Sequence, residues 1–319
     1  MDLSVVIPIY NEEANIAALY ERLRGVVENM ALPGGYEFIF VNDGSRDQSL
    51  VLLRLLAARD ERVRYLDFSR NFGHQIAVTA GLDRTQGEAV VIIDADLQDP
   101  PELLPHLYQK LREGFEVVYA KRRTRQGESA AKRLTAKLFY RVLALITHIS
   151  IPVDTGDFRI ISRKVVTALR QMPEQNKFIR GQISWIGYRQ SCIEYDRTER
   201  TGGATGYTYS KMLRFALDGI TAFSDVPLRV ATISGFAVSG VAFLVMLYTL
   251  YSRFVTRDFQ PGWASLMISI LFLGGVQLIA VGIIGEYIAR LSANVRQRPL
   301  YIISETNTTP PDTTTPRST

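Results

Sequence analysis

At 319 residues the chain has the length of about two domains, and its 47% apolar fraction excludes a disordered or fibrous protein. The 37 basic and 32 acidic residues are unevenly placed, with a net charge of −8 over residues 1–120 and +13 over residues 121–319. Cys192 is the only cysteine, which excludes an internal disulfide and a thiolate metal cluster. An acidic half followed by a basic half predicts two tasks, cation binding and anion binding.

Short apolar runs alternate with segments of helical periodicity over the first 120 residues. The predicted strands are Leu3–Ile9, Tyr36–Val41, Val63–Phe68, Ala89–Ile93 and Val117–Ala120. The predicted helices are Glu13–Asn29, Asp47–Arg59, His74–Arg84 and a segment from Pro100 to Arg112. This alternation predicts an α/β fold, with a mostly parallel sheet, helices on both faces and a ligand site at the carboxyl ends of the strands.

Two carboxylates follow the fourth predicted strand. Asp94 and Asp96 are two residues apart, so the alternation of a strand would direct both to one side. Close carboxylates repel each other unless a cation or a proton intervenes, and Mg²⁺ or Mn²⁺ suits oxygen ligands. The amide oxygen of Gln98 is a further candidate ligand. The alternative is a helix-capping aspartate beside a solvated one, because Asp-x-Asp alone is a weak signal.

Asp43 ends the second predicted strand, in Asn42-Asp43-Gly44-Ser45. Taken alone, the pattern favours a turn in which this aspartate caps the next helix. No Gly-x-Gly-x-x-Gly follows the first strand, and the sequence has no Walker motif. Dinucleotide-dependent dehydrogenases and P-loop nucleotidases therefore lose support.

Two basic segments with apolar helical faces, 121–137 and 209–223, predict helices that lie at a membrane surface. Solvated helices packed on the sheet are the alternative. The Gly-, Thr- and Tyr-rich segment Arg197–Tyr209 is a candidate lid that brings a cation to a phosphate. Phe158 and Trp185 are predicted to be packing residues.

Two uncharged runs occupy the C-terminal third: Val230–Ser252 has 23 residues and Phe259–Gly285 has 27. A bilayer span needs about 20 apolar residues, so both runs predict membrane helices joined as a hairpin. Buried helices of a large soluble core are the alternative. Six basic residues flank the hairpin and two lie in its loop, which predicts that both ends and the N-terminal domain face the cytoplasm.

Four parts are predicted along the chain: an α/β domain over 1–208, a juxtamembrane amphipathic helix over 209–228, two transmembrane helices over 229–290 and a cytoplasmic tail over 291–319. After Ser304 the tail is rich in Thr and Pro, which predicts disorder. No nucleic-acid partner is expected, and the sequence leaves the oligomeric state open, with a homo-oligomer as one alternative.

Four motifs, in order, resemble those of the family 2 glycosyltransferases of GT-A fold. They are the segments Val5–Glu12, Val41–Ser45, Asp94–Pro101 and Gly156–Arg159. The two C-terminal spans narrow the resemblance to the branch that acts on polyisoprenyl phosphates. Within that branch it is similar to the bacterial undecaprenyl-phosphate glucosyltransferases, which are related to dolichyl-phosphate mannose synthase. The resemblance covers about residues 1–305.

The resemblance implies roles for individual residues. It assigns the nucleotide sugar to Pro8, Tyr10, Glu12, Asp43, Asp94 and Arg200, the metal to Asp94, Asp96 and Gln98, and the acceptor phosphate to Arg122 and Arg133. Asp157 matches the position of the proposed base. The family's loop often reads Gly-Glu-Ser-Lys-Tyr, whereas residues 203–207 read Gly-Ala-Thr-Gly-Tyr, so the contacts of that loop do not carry over.

The implied reaction is the inverting transfer of glucose from UDP-glucose to undecaprenyl phosphate at the cytoplasmic face of the inner membrane, with Mg²⁺ or Mn²⁺ as cofactor. GDP-mannose or a UDP-aminosugar is an alternative donor. A processive polysaccharide synthase is disfavoured because Gln182-Ile-Ser-Trp185 lacks the arginine of Gln-x-x-Arg-Trp. A non-catalytic membrane adaptor would be expected to lose the acidic motifs, which are all present here.

Asp157 has several interpretations. A phosphate monoester loses its second proton near pH 6, so the acceptor is mostly a dianion at neutral pH and needs no base. The carboxylate would then orient the acceptor, hold a basic partner such as Arg159, or deprotonate acceptor that is still singly protonated. A turn-capping aspartate is a further alternative. We predict a catalytic role that weakens as pH rises: Asp157→Asn should lose much of its rate at pH 6 and recover part of it by pH 8.5, where the acceptor is already deprotonated.

Overall fold

The computed structural model describes residues 1–123, 155–195, 226–251 and 262–308. These residues fall into two compact units, one formed by 1–123, 155–195 and 298–308 and the other by 226–251 and 262–297. Several features of the sequence analysis lie outside the described residues. They are Arg133, Arg200, the segment 196–225, the hairpin loop 252–261 and the tail after 308.

The first unit is built on an eight-stranded sheet. The strands are β1 Leu3–Ile9, β2 Tyr36–Asn42, β3 Val63–Phe68, β4 Ala89–Ile92, β5 Val117–Arg122, β6 Thr155–Ser162, β7 Gln190–Tyr195 and β8 Ile303–Thr306. Their spatial order is β7-β5-β6-β4-β1-β2-β3-β8. Strands β1 to β4 form the parallel centre of the sheet, and β6 pairs with β4 in the antiparallel direction.

Helices cover both faces of this sheet, as predicted. The helices are α1 Ile16–Glu28, α2 Ser49–Arg59, α3 His74–Arg84, α4 Leu104–Arg112 (preceded by a 3₁₀ turn at Pro101–Leu103), α5 Arg163–Arg170 and α6 Ile179–Ile186. Helices α1, α2 and α4 pack on one face of the sheet, over the odd-numbered side chains of β1. Helices α3, α5 and α6 pack on the other face, over Val6 and its neighbours. A sheet buried on both faces explains why its strands are continuous apolar runs.

The apolar run Ile160–Ser162 predicts a strand, and strand β6 begins five residues before that run, at Thr155. Asp157 therefore lies within a strand and not in a turn before it. Because β6 runs antiparallel to β4, with Arg159 opposite Ile92, the start of β6 lies next to the end of β4. Gly156 and Asp157 are poor strand formers, so only the pairing with neighbouring strands extends β6 this far.

Strand β8 joins the C-terminal segment to the sheet, so the prediction of disorder after Ser304 is wrong for the residues up to 308; the tail after 308 lies outside the described residues. Strand β8 pairs with β3 in the antiparallel direction, and Arg54 Nε donates to Glu305 Oε1 at 2.9 Å. The ring of Tyr301 stacks on Phe68 with centroids 5.2 Å apart. A short polar strand has no periodicity of its own, so its partner across the chain decides its structure.

The second unit contains two long apolar helices, α7 at Val226–Tyr251 and α8 at Trp263–Val295, which contact each other. By length and composition, Val226–Val245 and Phe272–Val295 are candidate membrane spans, and neither is buried in the structure. Both helices agree with the predicted hairpin, although α8 continues past Gly285 to Val295. This extension carries the charges of Glu286 and Arg290, which pair at 3.2 Å along the helix.

Candidate active site

Polar loops that follow β1 and β2 contact each other at the carboxyl edge of the sheet. The backbone N–H of Asn11 donates to Ser45 Oγ at 2.9 Å, and the N–H of Arg46 donates to Asn11 Oδ1 at 2.8 Å. The N–H of Glu12 donates to Ser49 Oγ at 3.1 Å. The first and second sequence motifs, more than 30 residues apart, therefore form one structural unit at this edge.

The three residues predicted from the first motif differ in exposure. Pro8 is buried in β1 opposite Val41, whereas the side chain of Tyr10 stands out at 48% exposure. Glu12 is partly buried, and its Oε2 accepts a hydrogen bond from Asn15 Nδ2 at 2.6 Å. Tyr10 is thus the member of this set that is most accessible to a ligand. Contact with a nucleotide stays a prediction for all three.

Asp43 holds the loop that leads into α3. Its Oδ1 accepts the backbone N–H of Phe72 at 2.6 Å, and its Oδ2 accepts that of Gly73 at 3.0 Å. Burial raises the pKa of this carboxyl group, and the two amide hydrogen bonds oppose that shift. The contacts are of the capping kind that its sequence pattern favours, across a loop instead of to the next helix. Its predicted contact with the nucleotide stays a prediction.

Gly44 lets this loop approach β2, and we expect Gly44→Ala to destabilise the protein by at least about 2 kcal/mol. Its φ is +64°, and an added Cβ would lie 2.5 Å from the carbonyl carbon of Arg70. Gly35 is the matched control, because its φ is +79° and a Cβ there would meet nothing within 4 Å. Thermal unfolding of both variants measures the difference. Equal losses would show that left-handed strain alone, and not the contact with the loop, makes Gly44 necessary.

The predicted metal ligands lie in the turn after β4. Burial and the nearby carboxylates raise the pKa of Asp94 to about 7, although His74 opposes the shift. No described residue donates a hydrogen bond to the buried Oδ1 of Asp94. Asp96 Oδ1 accepts the backbone N–H of the buried Gln98 at 3.2 Å. An acidic turn with an unsatisfied buried oxygen fits a hard divalent cation.

His74, the first residue of α3, is a site residue that the sequence analysis missed. Its Nε2 lies 2.9 Å from Asp157 Oδ2 and 3.7 Å from Asp94 Oδ1. One ligand atom from each of these three residues lies within 4.8 Å of the others, so this group is a second way to hold a cation. Burial disfavours the charged ring, but the hydrogen bond to Asp157 and the two carboxylate charges raise the pKa of His74 to about 9. A lone histidine after a glycine carries no motif, so only the folded structure identifies it.

Asp157 is held by two arginines as well as by His74. Arg180 Nε donates to Asp157 Oδ1 at 2.9 Å, and Arg159 approaches the same oxygen at 3.3 Å. Burial alone would raise the pKa of Asp157, but Arg180, His74 and Arg159 outweigh it and hold the pKa well below its ordinary value. The carboxylate is therefore ionised throughout the neutral range. Arg180, on α6, was also missed, because nothing in its local sequence connects it to Asp157.

The remaining predictions concern residues away from this cluster. Arg122 lies at the end of β5, but the structure does not describe its side chain, and Arg133 and Arg200 lie outside the described residues. Phe158 is fully buried, as predicted for a packing residue. Trp185 is 67% exposed, so the prediction that it is a packing residue is wrong. It lies on the outer face of the short helix α6, whose opposite face carries Ile179 and Ile183 into the core.

Comparison with known families covers both units. Residues 4–170 match glycosyl transferase family 2, and residues 226–291 match the GtrB C-terminal hairpin. A crystal structure of glucosyl-3-phosphoglycerate synthase from Mycobacterium tuberculosis aligns with a TM-score of 0.51 at 21% identity, over 69% of this chain and 76% of that chain. At this identity the likeness shows the fold, which is the GT-A-like α/β fold expected from the sequence.

Relatives of nearly equal length include an uncharacterised glycosyltransferase of Bacillus subtilis, which is 48% identical over 95% of this chain and 93% of its own. A prophage-derived bactoprenol glucosyl transferase of Shigella flexneri is 42% identical over 96% of this chain and 99% of its own. The family match covers more than half of the chain and includes all four sequence motifs. This chain therefore belongs to glycosyl transferase family 2.

Proposed function

We propose that this glycosyltransferase transfers glucose from UDP-glucose to undecaprenyl phosphate, with inversion at the anomeric carbon, and forms a lipid-linked β-glucosyl phosphate. The observation that carries the proposal is the 42% identity to bactoprenol glucosyl transferases over nearly the whole chain, hairpin included. The acidic cluster at the carboxyl edge of the sheet supports it, because carboxylates there could hold a cation that offsets the charge of the leaving diphosphate.

A divalent cation, Mg²⁺ or Mn²⁺, fits the turn after β4, where Asp94 and Asp96 would hold it with Gln98 beside them. The buried, unsatisfied Oδ1 of Asp94 supports this assignment. When bound, the cation would neutralise the diphosphate of the leaving group. The neighbouring edge formed by Tyr10, Glu12 and the loop held by Asp43 would receive the nucleotide.

The acceptor phosphate would attack the anomeric carbon from the face opposite the diphosphate, so an inverted product forms in a single displacement. At neutral pH the acceptor is mostly a dianion and can attack without losing a proton. Arg122, Arg133 and Arg200 are proposed to contact phosphate groups. This chain must therefore do two things: it must position the two reactants, and it must provide cationic side chains that offset the charge of the acceptor.

The two apolar helices would keep the enzyme in the same membrane as its lipid acceptor, which raises the effective concentration of both. We place the protein in the inner membrane, as a two-span hairpin with the catalytic domain in the cytoplasm. The proposed parts remain 1–208, 209–228, 229–290 and 291–319. The structure adds that residues 298–308 belong to the compact unit of the catalytic domain.

The topology is tested with reporter fusions. A fusion after residue 308 should report the cytoplasm, and one in the Arg253–Trp263 loop should report the opposite side, because flanking positive charges stay in the cytoplasm. The control reduces the bias from six against two to three against two by replacing Arg290, Arg296 and Arg298 with neutral residues, which should weaken the orientation. A periplasmic C-terminus in the unaltered protein would refute the hairpin.

The activity is tested with purified protein, undecaprenyl phosphate and a panel of radiolabelled nucleotide sugars. Glucose transfer from UDP-glucose into an organic-extractable lipid, at one sugar per lipid, is the expected result. Transfer from GDP-mannose or a UDP-aminosugar instead would correct the donor. A long polymer would indicate a processive synthase, and the absence of transfer from any donor would favour the non-catalytic adaptor.

A further inference from the structure

Arg180 belongs to a small buried group of charges at the start of β6. Arg159 is 4% exposed and donates to the carbonyl oxygens of Asp157 and Gly156 at 3.2 and 2.9 Å, which fixes it beneath the site. Burial lowers the pKa of Arg159 to about 10, so it stays charged at neutral pH. Arg180 approaches the same Asp157 carboxylate from α6, and 27% of its side chain is exposed. Arg159 is thus buried beneath Asp157, whereas the side chain of Arg180 is partly accessible to solvent.

The charges of this group do not cancel. One carboxylate, Asp157, faces two guanidinium groups, Arg159 and Arg180, so these three residues carry a net charge of +1. The next carboxylate is Asp94, whose Oδ1 lies 3.7 Å from His74 Nε2, the ring nitrogen that also hydrogen-bonds to the other oxygen of Asp157. A guanidinium has five N–H donors in a planar fork, and it can serve a carboxylate and a phosphate together. The group is therefore suited to an anion placed next to Asp157.

We propose that Arg180 binds the phosphate of the lipid acceptor, with Asp157 and Arg159 holding its guanidinium in place. The inference rests on the proposed function and assigns a binding residue that the sequence motifs do not contain. It also gives Asp157 a task that suits its contacts: the carboxylate orients a cation toward the nucleophile. A carboxylate next to an anionic nucleophile would repel it unless cations outnumber it, and here they do.

The acceptor is favoured over the donor diphosphate by the distribution of charge. Asp94 and Asp96 in the acidic turn would hold a divalent cation, and such a cation would offset the charge of a diphosphate. A phosphate monoester that carries close to two negative charges needs cationic side chains beside it. The net positive group on β6 and α6 supplies them.

The test compares Arg180→Gln and Arg180→Lys in the full-length protein reconstituted in nanodiscs. Arg180→Gln should raise the KM for undecaprenyl phosphate roughly 10- to 100-fold, because it removes a charge-assisted phosphate contact, while the KM for UDP-glucose should change less than about twofold. Arg180→Lys keeps the charge and should recover part of the loss. Arg112→Gln, which removes an exposed charge at the end of α4, is the matched control and should leave both values unchanged.

A second readout does not depend on transfer. Wild-type protein should bind undecaprenyl phosphate in preference to undecaprenol, which lacks the phosphate. Arg180→Gln should lose that preference while it stays folded, with a melting temperature lowered by the lost pair with Asp157, and while its UDP binding stays close to wild type. An unchanged acceptor KM, or a rise confined to the KM for UDP-glucose, would overturn the proposal. Wild-type protein that binds the lipid phosphate but forms no glucolipid would instead count against the proposed function alone.

Discussion

Replacing Asp96 with alanine should abolish sugar transfer and leave the protein folded. Asp96 lies in the acidic turn after β4, where its Oδ1 accepts the backbone N–H of Gln98. Removing it would weaken the cation site and leave the charge of the departing diphosphate uncompensated. A cation supplies several kcal/mol of such stabilisation, so a loss of about a thousandfold in kcat/KM is expected.

The measurement is lipid-linked product formed by the variant and by wild type, each with added Mg²⁺ or Mn²⁺ and with chelator. Wild type should lose activity in chelator, and Asp96→Ala should be inactive in both conditions. Glu102→Ala is a suitable control, because it removes a neighbouring exposed carboxylate that pairs with Arg22 on the surface. Full activity of Asp96→Ala in chelator would remove the case for metal dependence centred on this residue.

The centre of the sheet could be predicted because its signals are local and strong. Leu3–Ile9 and Val63–Phe68 are bounded as predicted, and His74–Arg84 is a helix as predicted. A strand buried on both faces must be apolar along its length, so its bounds can be read from hydropathy alone. Asp94 and Asp96 follow from the same argument, since polar residues directly after a buried strand lie at the ligand edge.

The parts that were missed depend on long-range contacts. Strand β8 is short and polar, and it exists because β3, more than 200 residues earlier, offers it an open edge. His74 and Arg180 lie on α3 and α6, and they meet at Asp157 only because β6 turns back beside β4. Neither carries a motif, so charge and spacing along the chain could not connect them. The strand ends therefore predict where the candidate site lies, and only the folded structure adds His74 and Arg180 to it.

Asp157→Asn should lose rate by the same factor at pH 6 and at pH 8.5. A general base would be needed mainly at pH 6, where much of the acceptor still carries a proton, so the base interpretation predicts recovery at high pH. The structure favours the other outcome. Arg180, His74 and Arg159 hold the pKa of Asp157 well below its ordinary value, and a carboxylate so stabilised in its charged form is a weak proton acceptor.

The same contacts predict a loss of stability in this variant. Asp157 has a lowered pKa in the folded protein, so its ion pairs stabilise the fold at neutral pH, and this contribution is lost as the pH falls through the folded-state pKa. Asparagine removes it at every pH and leaves Arg159 buried without its carboxylate partner. Breaking a buried pair from one side costs about 3–5 kcal/mol, so the melting temperature of Asp157→Asn should fall clearly.

Asp157→Glu separates the lost charge from the lost position. It restores the negative charge with a longer side chain, so it should regain stability more fully than rate if Asp157 acts by aiming Arg180 at the acceptor. Rates are compared at pH 6 and pH 8.5 on protein shown to be folded at both values. If the rate deficit of Asp157→Asn is smaller at pH 8.5 than at pH 6, Asp157 acts as a general base, because proton removal is the only step that becomes unnecessary at the higher pH. If Asp157→Asn has wild-type rates at both pH values, Asp157 has no part in the mechanism and its role is structural, as the partner of Arg159.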